Sequence, residues 1–122
     1  MKITVNEQPQ QFYLAFKEWT PAVGHEIQVG KYRFCAIVIG NKINVSEVTT
    51  GARVLNIPFD FATLLITGTK EDTIKYFYSI GESIKRAIEK SNDVDVMISE
   101  MQEIAYERLG EMPEIKNVDV EV

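Results

Sequence analysis

The sequence predicts an α+β fold, with antiparallel hairpins in the N-terminal half packed against a C-terminal antiparallel helix pair, in one domain covering residues 1–122. Three observations predict it. The apolar period is near two through the first half, it changes to 3.6 beyond Thr67, and turn residues punctuate both halves at the spacing of short elements. The chain therefore reads as a strand-rich part over 1–67, a helical hairpin over 69–110 and a polar tail over 114–122.

Each element follows from local chemistry. Residues 2–5 and 11–16 are rich in β-favouring side chains, and Asn6-Glu7-Gln8-Pro9 between them is turn chemistry, which predicts an opening hairpin. Trp19-Thr20-Pro21 reads as a loop, as does Gly24-His25, and a second strand group starts at Glu26, breaks at Gly30 and continues through Lys31 to Ile39. Gly40-Asn41 then turns the chain into Lys42–Val48, whose alternation puts Ile43 and Val45 on the apolar face. Thr49-Thr50-Gly51 makes the next turn, and Arg53–Ile57 forms a short strand stopped by Pro58. Phe59 to Thr67 is read as a further strand.

The helices have clearer signatures. Ile74, Phe77, Tyr78, Gly81, Ile84 and Ile88 share one helical face, with Thr69 and Asp72 at capping-box spacing. Phe77 and Tyr78 are expected in the core, with Tyr76 turned away from them. Val94, Met97, Ile98, Met101, Ile104, Ala105 and Leu109 repeat in a second helix, with Ser91 or Asn92 as N-cap and Gly110 and Pro113 as the stop. The short connection makes the helices antiparallel neighbours whose joint apolar face covers one side of the sheet. The tail is a loose end or an added edge strand carrying Val118, Val120 and Val122.

Composition narrows the chemistry. Thirteen Lys and Arg against eighteen Asp and Glu give a net charge of -5, which disfavours non-specific nucleic-acid binding. One cysteine, Cys35, excludes an intrachain disulfide and a thiolate zinc cage, and in its apolar run it reads as a small core residue. The single histidine, His25, has no second histidine for a metal site or triad, so no cofactor is expected. No stretch approaches the roughly 18 apolar residues of a membrane span, and no targeting segment is recognisable, so a cytosolic protein without membrane contact is expected. Glu100, Glu103, Glu107 and Glu111 follow the solvent spacing of the second helix, and an acid-base enzyme would require Glu47, Asp60 or Asp95 to be buried with a perturbed pKa.

Arginine is the informative cation, because a guanidinium grips phosphate with two parallel hydrogen bonds. The segment Val48-Thr49-Thr50-Gly51-Ala52-Arg53 joins an arginine to hydroxyl and turn amide donors, and Arg108 stands near Tyr106 at the end of an otherwise acidic helix. Excess apolar surface around Ile80, Met97 and Met101 predicts homo-oligomerisation.

MKITVN at the start, GNKINVSEVTTGARV, the connection KSNDVD and ERLGEMPEIKNVD near the end together resemble small proteins of Firmicute phages and prophages, most of all the Thoeris anti-defence proteins of the first type. The resemblance spans most of the chain in length and element order and rests on no single motif. It implies a non-enzymatic oligomeric sponge that sequesters a small nucleotide signal, a cyclic ADP-ribose isomer, without cleaving it; some members also capture cyclic oligonucleotides. Under this reading Arg53 and Arg108 hold the pyrophosphate, Thr50 and Asn92 hydrogen-bond ribose or base, and Phe77 or Tyr76 stacks on adenine, with Tyr76 or Trp19 taking that place if Phe77 is wholly buried. The rival reading is an acidic phage protein that inhibits a host protein through direct contact.

Overall fold

A computed structural model describes residues 1–119, with elements β1 (Ile3–Val5), β2 (Gln10–Ala15), β3 (Trp19–Val29), β4 (Tyr32–Ile39), β5 (Lys42–Glu47), β6 (Arg53–Pro58), α1 (Phe61–Ile66), α2 (Lys70–Glu89), α3 (Val94–Leu109) and β7 (Lys116–Asn117). The strands are paired antiparallel in the order β6-β5-β4-β3-β2-β7, with β1 also joined to β3, so the α+β class read from the sequence is the class observed. Val120 and Val122 lie outside the described residues; the earlier part of the tail supplies the edge strand β7 against β2. Among the described residues no helix is long and apolar enough to cross a membrane.

Strand β4 is apolar on both sides over Phe34–Ile37 because both of its faces are buried there, whereas Val38 and Ile39 beyond are exposed. Phe34 and Ala36 join Ile27, Val29, Ile43 and Val45 under the α2 side chains Phe77, Ile80 and Ile84. Cys35 and Ile37 point the other way, into a second core with Phe12, Leu14 and Val48. Strand β2 reaches that second face because β3 changes partner along its length: Trp19–Gly24 pair with β2, and His25–Val29 pair with β4. Gly24 stands at the change, where a Cβ would collide with the Ala36 carbonyl and lie 2.7 Å from Ile37 Cγ1.

Several expectations are corrected. The opening segments do not form a hairpin: β1 and β2 follow one another along the same edge of β3, with Ile3 opposite Val29 and Gln10 opposite Gly24. The Asn6–Pro9 break is thus a kink, tied by Gln8 N–H to Asn6 Oδ1 at 3.0 Å. Trp19 and His25 lie within β3 rather than in loops, and Gly30, at φ 61°, turns β3 into β4. The Gly40-Asn41 hairpin is as expected, with Ile39 opposite Lys42 and with Ile43 and Val45 buried.

The predicted strand at 59–67 is the short helix α1. Asp60 caps it by accepting from Thr63 N–H at 2.9 Å, and its apolar residues Phe61, Leu64, Leu65 and Ile66 are exposed. Local capping thus overrides an apolar run that suited a buried strand. In α2 the Thr69 hydroxyl accepts from Asp72 N–H at 3.1 Å, as the spacing predicts. The tyrosines are reversed, however: Tyr78 is exposed, whereas Tyr76 packs against the core, because Ile80, one turn along from Tyr76, pulls the buried arc to that side. Helix α3 begins at an N-cap formed by Asp93, without a side-chain capping bond, rather than at Ser91 or Asn92. It buries only Ala105 and leaves Val96, Met97 and Ile104 exposed, so the two helices do not cover the sheet jointly. Helix α2 does most of the covering, pressed so closely at Gly81 that a Cβ there would lie 2.6 Å from Ile3 Cγ2.

Two outcomes test this account. Gly24→Ala should cost about 3 kcal/mol through overpacking, whereas Gly40→Ala, with open space but φ 60°, should cost about 1 kcal/mol; thermal and urea melts compare them. Burial pushes the Cys35 thiol up to about 12, so a disulfide reagent at pH 8 should label it only once denaturant unfolds the chain.

Candidate functional site

The turn between β5 and β6 is built around a buried carboxylate. Glu47 is 4% exposed and accepts from Thr49 Oγ1 at 2.7 Å, Thr50 N–H at 2.8 Å and Thr49 N–H at 3.1 Å. Such donors are what make burial of a carboxylate tolerable. Thr50 Oγ1 in turn accepts from Ala52 N–H at 3.1 Å, and Gly51, at φ 65°, reverses the chain. The Gly51 carbonyl accepts from Ala15 N–H at 2.9 Å, which straps the end of β2 to the turn. A Cβ on Gly51 would lie 2.7 Å from Tyr13 O, so the approach requires glycine. Arg53 emerges from this turn as the first residue of β6, exposed and opposite Ser46.

Helix α3 brings the second arginine to the same place. Trp19 meets Tyr106 edge to face, with centroids 5.7 Å apart, and its Nε1–H donates to Gly110 O at 3.1 Å. Arg108 Nη2 reaches to 3.5 Å from Ala15 O. A cleft of about 270 Å³ results, lined by Arg53, Arg108, Thr50, Ala15, Met101 and Ile104 among others. A wider depression of about 460 Å³ shares Ala15 and Arg53 and adds Phe16, Lys42 and Asn56. Among the described residues the ion pairs are Lys31 with Asp95 and Arg33 with Glu26, so neither Arg53 nor Arg108 belongs to one. The two adjoining depressions thus carry two guanidiniums, an ammonium and no carboxylate.

The structure brings together three of the residues singled out in the sequence, Arg53, Arg108 and Thr50. Their roles differ from the expectation in one respect: Thr50 is wholly buried and its hydroxyl shapes the turn, so it is not placed to bond a ribose or base. Asn92 is exposed on the connection before α3, outside the cleft. Phe77 is in the core, with its ring centroid 5.8 Å from that of His25, and cannot stack on a ligand. Tyr76 is half-buried against the same core, and Trp19 is engaged with Tyr106. The exposed aromatic at the site is Phe16, which sequence reasoning missed. Strand β2 ends at Ala15, Phe16 N–H donates to Leu14 O at 3.1 Å, and the ring is exposed. Lys42 and Asn56 were also missed, because only the β5–β6 pairing brings Lys42 of β5 to the depression that Arg53 and Asn56 of β6 line.

Asp60 and Asp95, the other two acids singled out in the sequence, have structural partners. Asp60 caps α1, and the bonds from Thr63 hold its carboxyl below the ordinary range. Asp95 accepts from Lys31 Nζ at 2.9 Å and from Tyr32 O–H at 3.0 Å, tying the start of α3 to the β3–β4 turn. Its carboxyl is lowered, chiefly by the Lys31 hydrogen bond, and the Lys31 ammonium is raised, chiefly by the same bond. Among the described residues no cluster of three His, Cys, Asp or Glu could hold a metal.

The tether has a defined pH window. Asp95 contributes above the ordinary carboxylate value of 3.8 and its contribution is lost as pH falls through the lowered folded value; Lys31 contributes below 10.5 and its share is lost as pH rises through the raised one. In a carboxyl NMR titration Asp95 should therefore titrate below 3.8 and return toward it in Lys31→Ala. Comparison of the chain with protein-family models, curated proteins and solved structures finds no match in any of the three.

Proposed function

We propose that the protein binds and sequesters a small nucleotide signal carrying a pyrophosphate, of the cyclic ADP-ribose isomer class, and releases it chemically unchanged. The observation that carries this reading is the convergence of Arg53 and Arg108, neither in an ion pair among the described residues, on one cleft. Like charges held together without a counter-charge lose free energy to repulsion, and an anion bridging them recovers it. The Phe16 ring and the Asn56 amide in the adjoining depression suit a base: one offers a face for stacking, the other paired donor and acceptor groups. Lys42 adds a third positive charge at the far side. The depressions carry no carboxylate, histidine or thiol to act as nucleophile or base, which supports holding over cleavage. The exposed apolar residues of α1 and α3 support self-association as part of the same proposal.

A second reading, inhibition of a host protein by direct contact, draws on the outward side of α3, where Glu100, Glu103 and Glu107 are exposed beside Val96 and Ile104.

Incubation with a cyclic ADP-ribose isomer, removal of free nucleotide by filtration and heat release should return the intact compound. Return of an altered product would make the protein an enzyme, and passage of the nucleotide into the filtrate would leave the contact reading. Arg53→Ala and Arg108→Ala should each weaken capture at least tenfold, as expected for loss of a charge-assisted contact of about 1.4 kcal/mol or more, with unchanged far-UV circular dichroism. Phe16→Ala should weaken capture less and leave inorganic pyrophosphate binding as in the unsubstituted protein.

A further inference from the structure

We propose that a second cleft, between α2, α3 and the sheet, binds the hydrocarbon chain of a medium-chain fatty acid whose carboxylate lies at Arg108. This cleft has a volume of about 270 Å³, and its walls are Ile84 and Ile88 of α2, Met97, Ile98 and Met101 of α3, and Leu55 of β6. For scale, an apolar cavity of about 150 Å³ in another protein stays dry and takes up benzene. Water in such a slot finds few partners, so an apolar occupant gains the free energy of removing both surfaces from water.

The floor selects against a polar occupant. The polar residues on this lining are Glu47, Thr50, Ser83 and Ser91; the first two have their partners within the β5–β6 turn, and the serine hydroxyls donate to Ser79 O and Asp93 Oδ1. Among the described residues no buried side-chain nitrogen or oxygen lacks a hydrogen-bond partner. A hydrocarbon therefore leaves no protein group orphaned, whereas a sugar or base would lose its own hydrogen bonds on entry. Met97 and Met101 are unbranched and adapt to a chain that can bend.

Charge and length fix the rest of the ligand. Met101 and Thr50 border both this cleft and the arginine cleft, so the two spaces adjoin. Met97, Met101 and Arg108 lie on one side of α3 at steps of four and seven residues. At 1.5 Å per residue, Met97 and Arg108 are separated by about 16 Å along the axis, close to the extended length of an acid of about ten to twelve carbons. Arg108 meets the carboxylate at one end and Met97 the chain terminus at the other. This inference shares Arg108 with the nucleotide reading and does not rest on it.

The test uses the full chain with its methionine methyl groups labelled for NMR, titrated with decanoate. Met97 and Met101 should shift to saturation at one ligand per chain, while Met1 and Met112, outside the cleft, act as internal references. Acetate should shift neither, and decanol should bind at least tenfold more weakly than decanoate. Arg108→Ala should remove that preference. Ala87→Phe, which enlarges an exposed α2 residue on the cleft wall, should weaken decanoate at least tenfold and leave nucleotide capture unchanged, so the two readings fail separately. Absence of saturable shifts at Met97 and Met101, equal affinity for decanol, or unimpaired binding by a folded Ala87→Phe would each overturn the proposal. So would methyl shifts that follow protein concentration and block decanoate, since a second copy of the chain would then fill the cleft.

Discussion

The close approach of β3 to β4 at Gly24 is the constraint on which the other layers depend. With no Cβ at that position, one long strand can leave its pairing with β4 and carry β2 across the opposite face, giving β4 a buried surface on both sides. The two clusters that result are not equivalent. One lies under a twenty-residue helix and the other under a strand pair, so the first is covered by interdigitating helix side chains and the second by the pleat of a folded sheet. Cys35 belongs to the second, which is why its thiol behaves as packing material.

The folded sheet also brings the end of β2 onto the β5–β6 turn, and there the polar part of the structure begins. Glu47 lies opposite Phe34 on the helix side of the sheet, and the turn supplies the amide and hydroxyl donors that a buried carboxylate needs. The same geometry sends Arg53 outward at the start of β6. A structural carboxylate and an exposed guanidinium thus arise from one turn, the first held by the turn's own amide and hydroxyl donors and the second in no ion pair among the described residues.

Helix α3 is the least committed element. One buried residue, an edge-to-face contact at its end and an exposed ion pair at its start hold it, where α2 contributes four buried positions. An exposed pair of this type contributes little in water. The consequence is space: a helix that spans the opening without closing it leaves an apolar cleft on one stretch of its length and an arginine cleft on the next.

By itself the sequence determined the elements whose causes are local. The Gly40-Asn41 hairpin, the Thr69 cap of α2, the Gly110 stop of α3 and the inward face of Ile43 and Val45 are all set by residues within a few positions of one another. Arg53 and Arg108 stood out in the sequence too, as scarce guanidiniums beside a turn and a helix end in an acidic chain. Only the tertiary structure decided that these arginines line one cleft, that Phe16 is exposed, and that Thr50 is sealed within its turn with its hydroxyl accepting from Ala52 N–H. Those outcomes depend on which strand β3 pairs with along its length, and alternation along a strand fixes its two faces without fixing its neighbour.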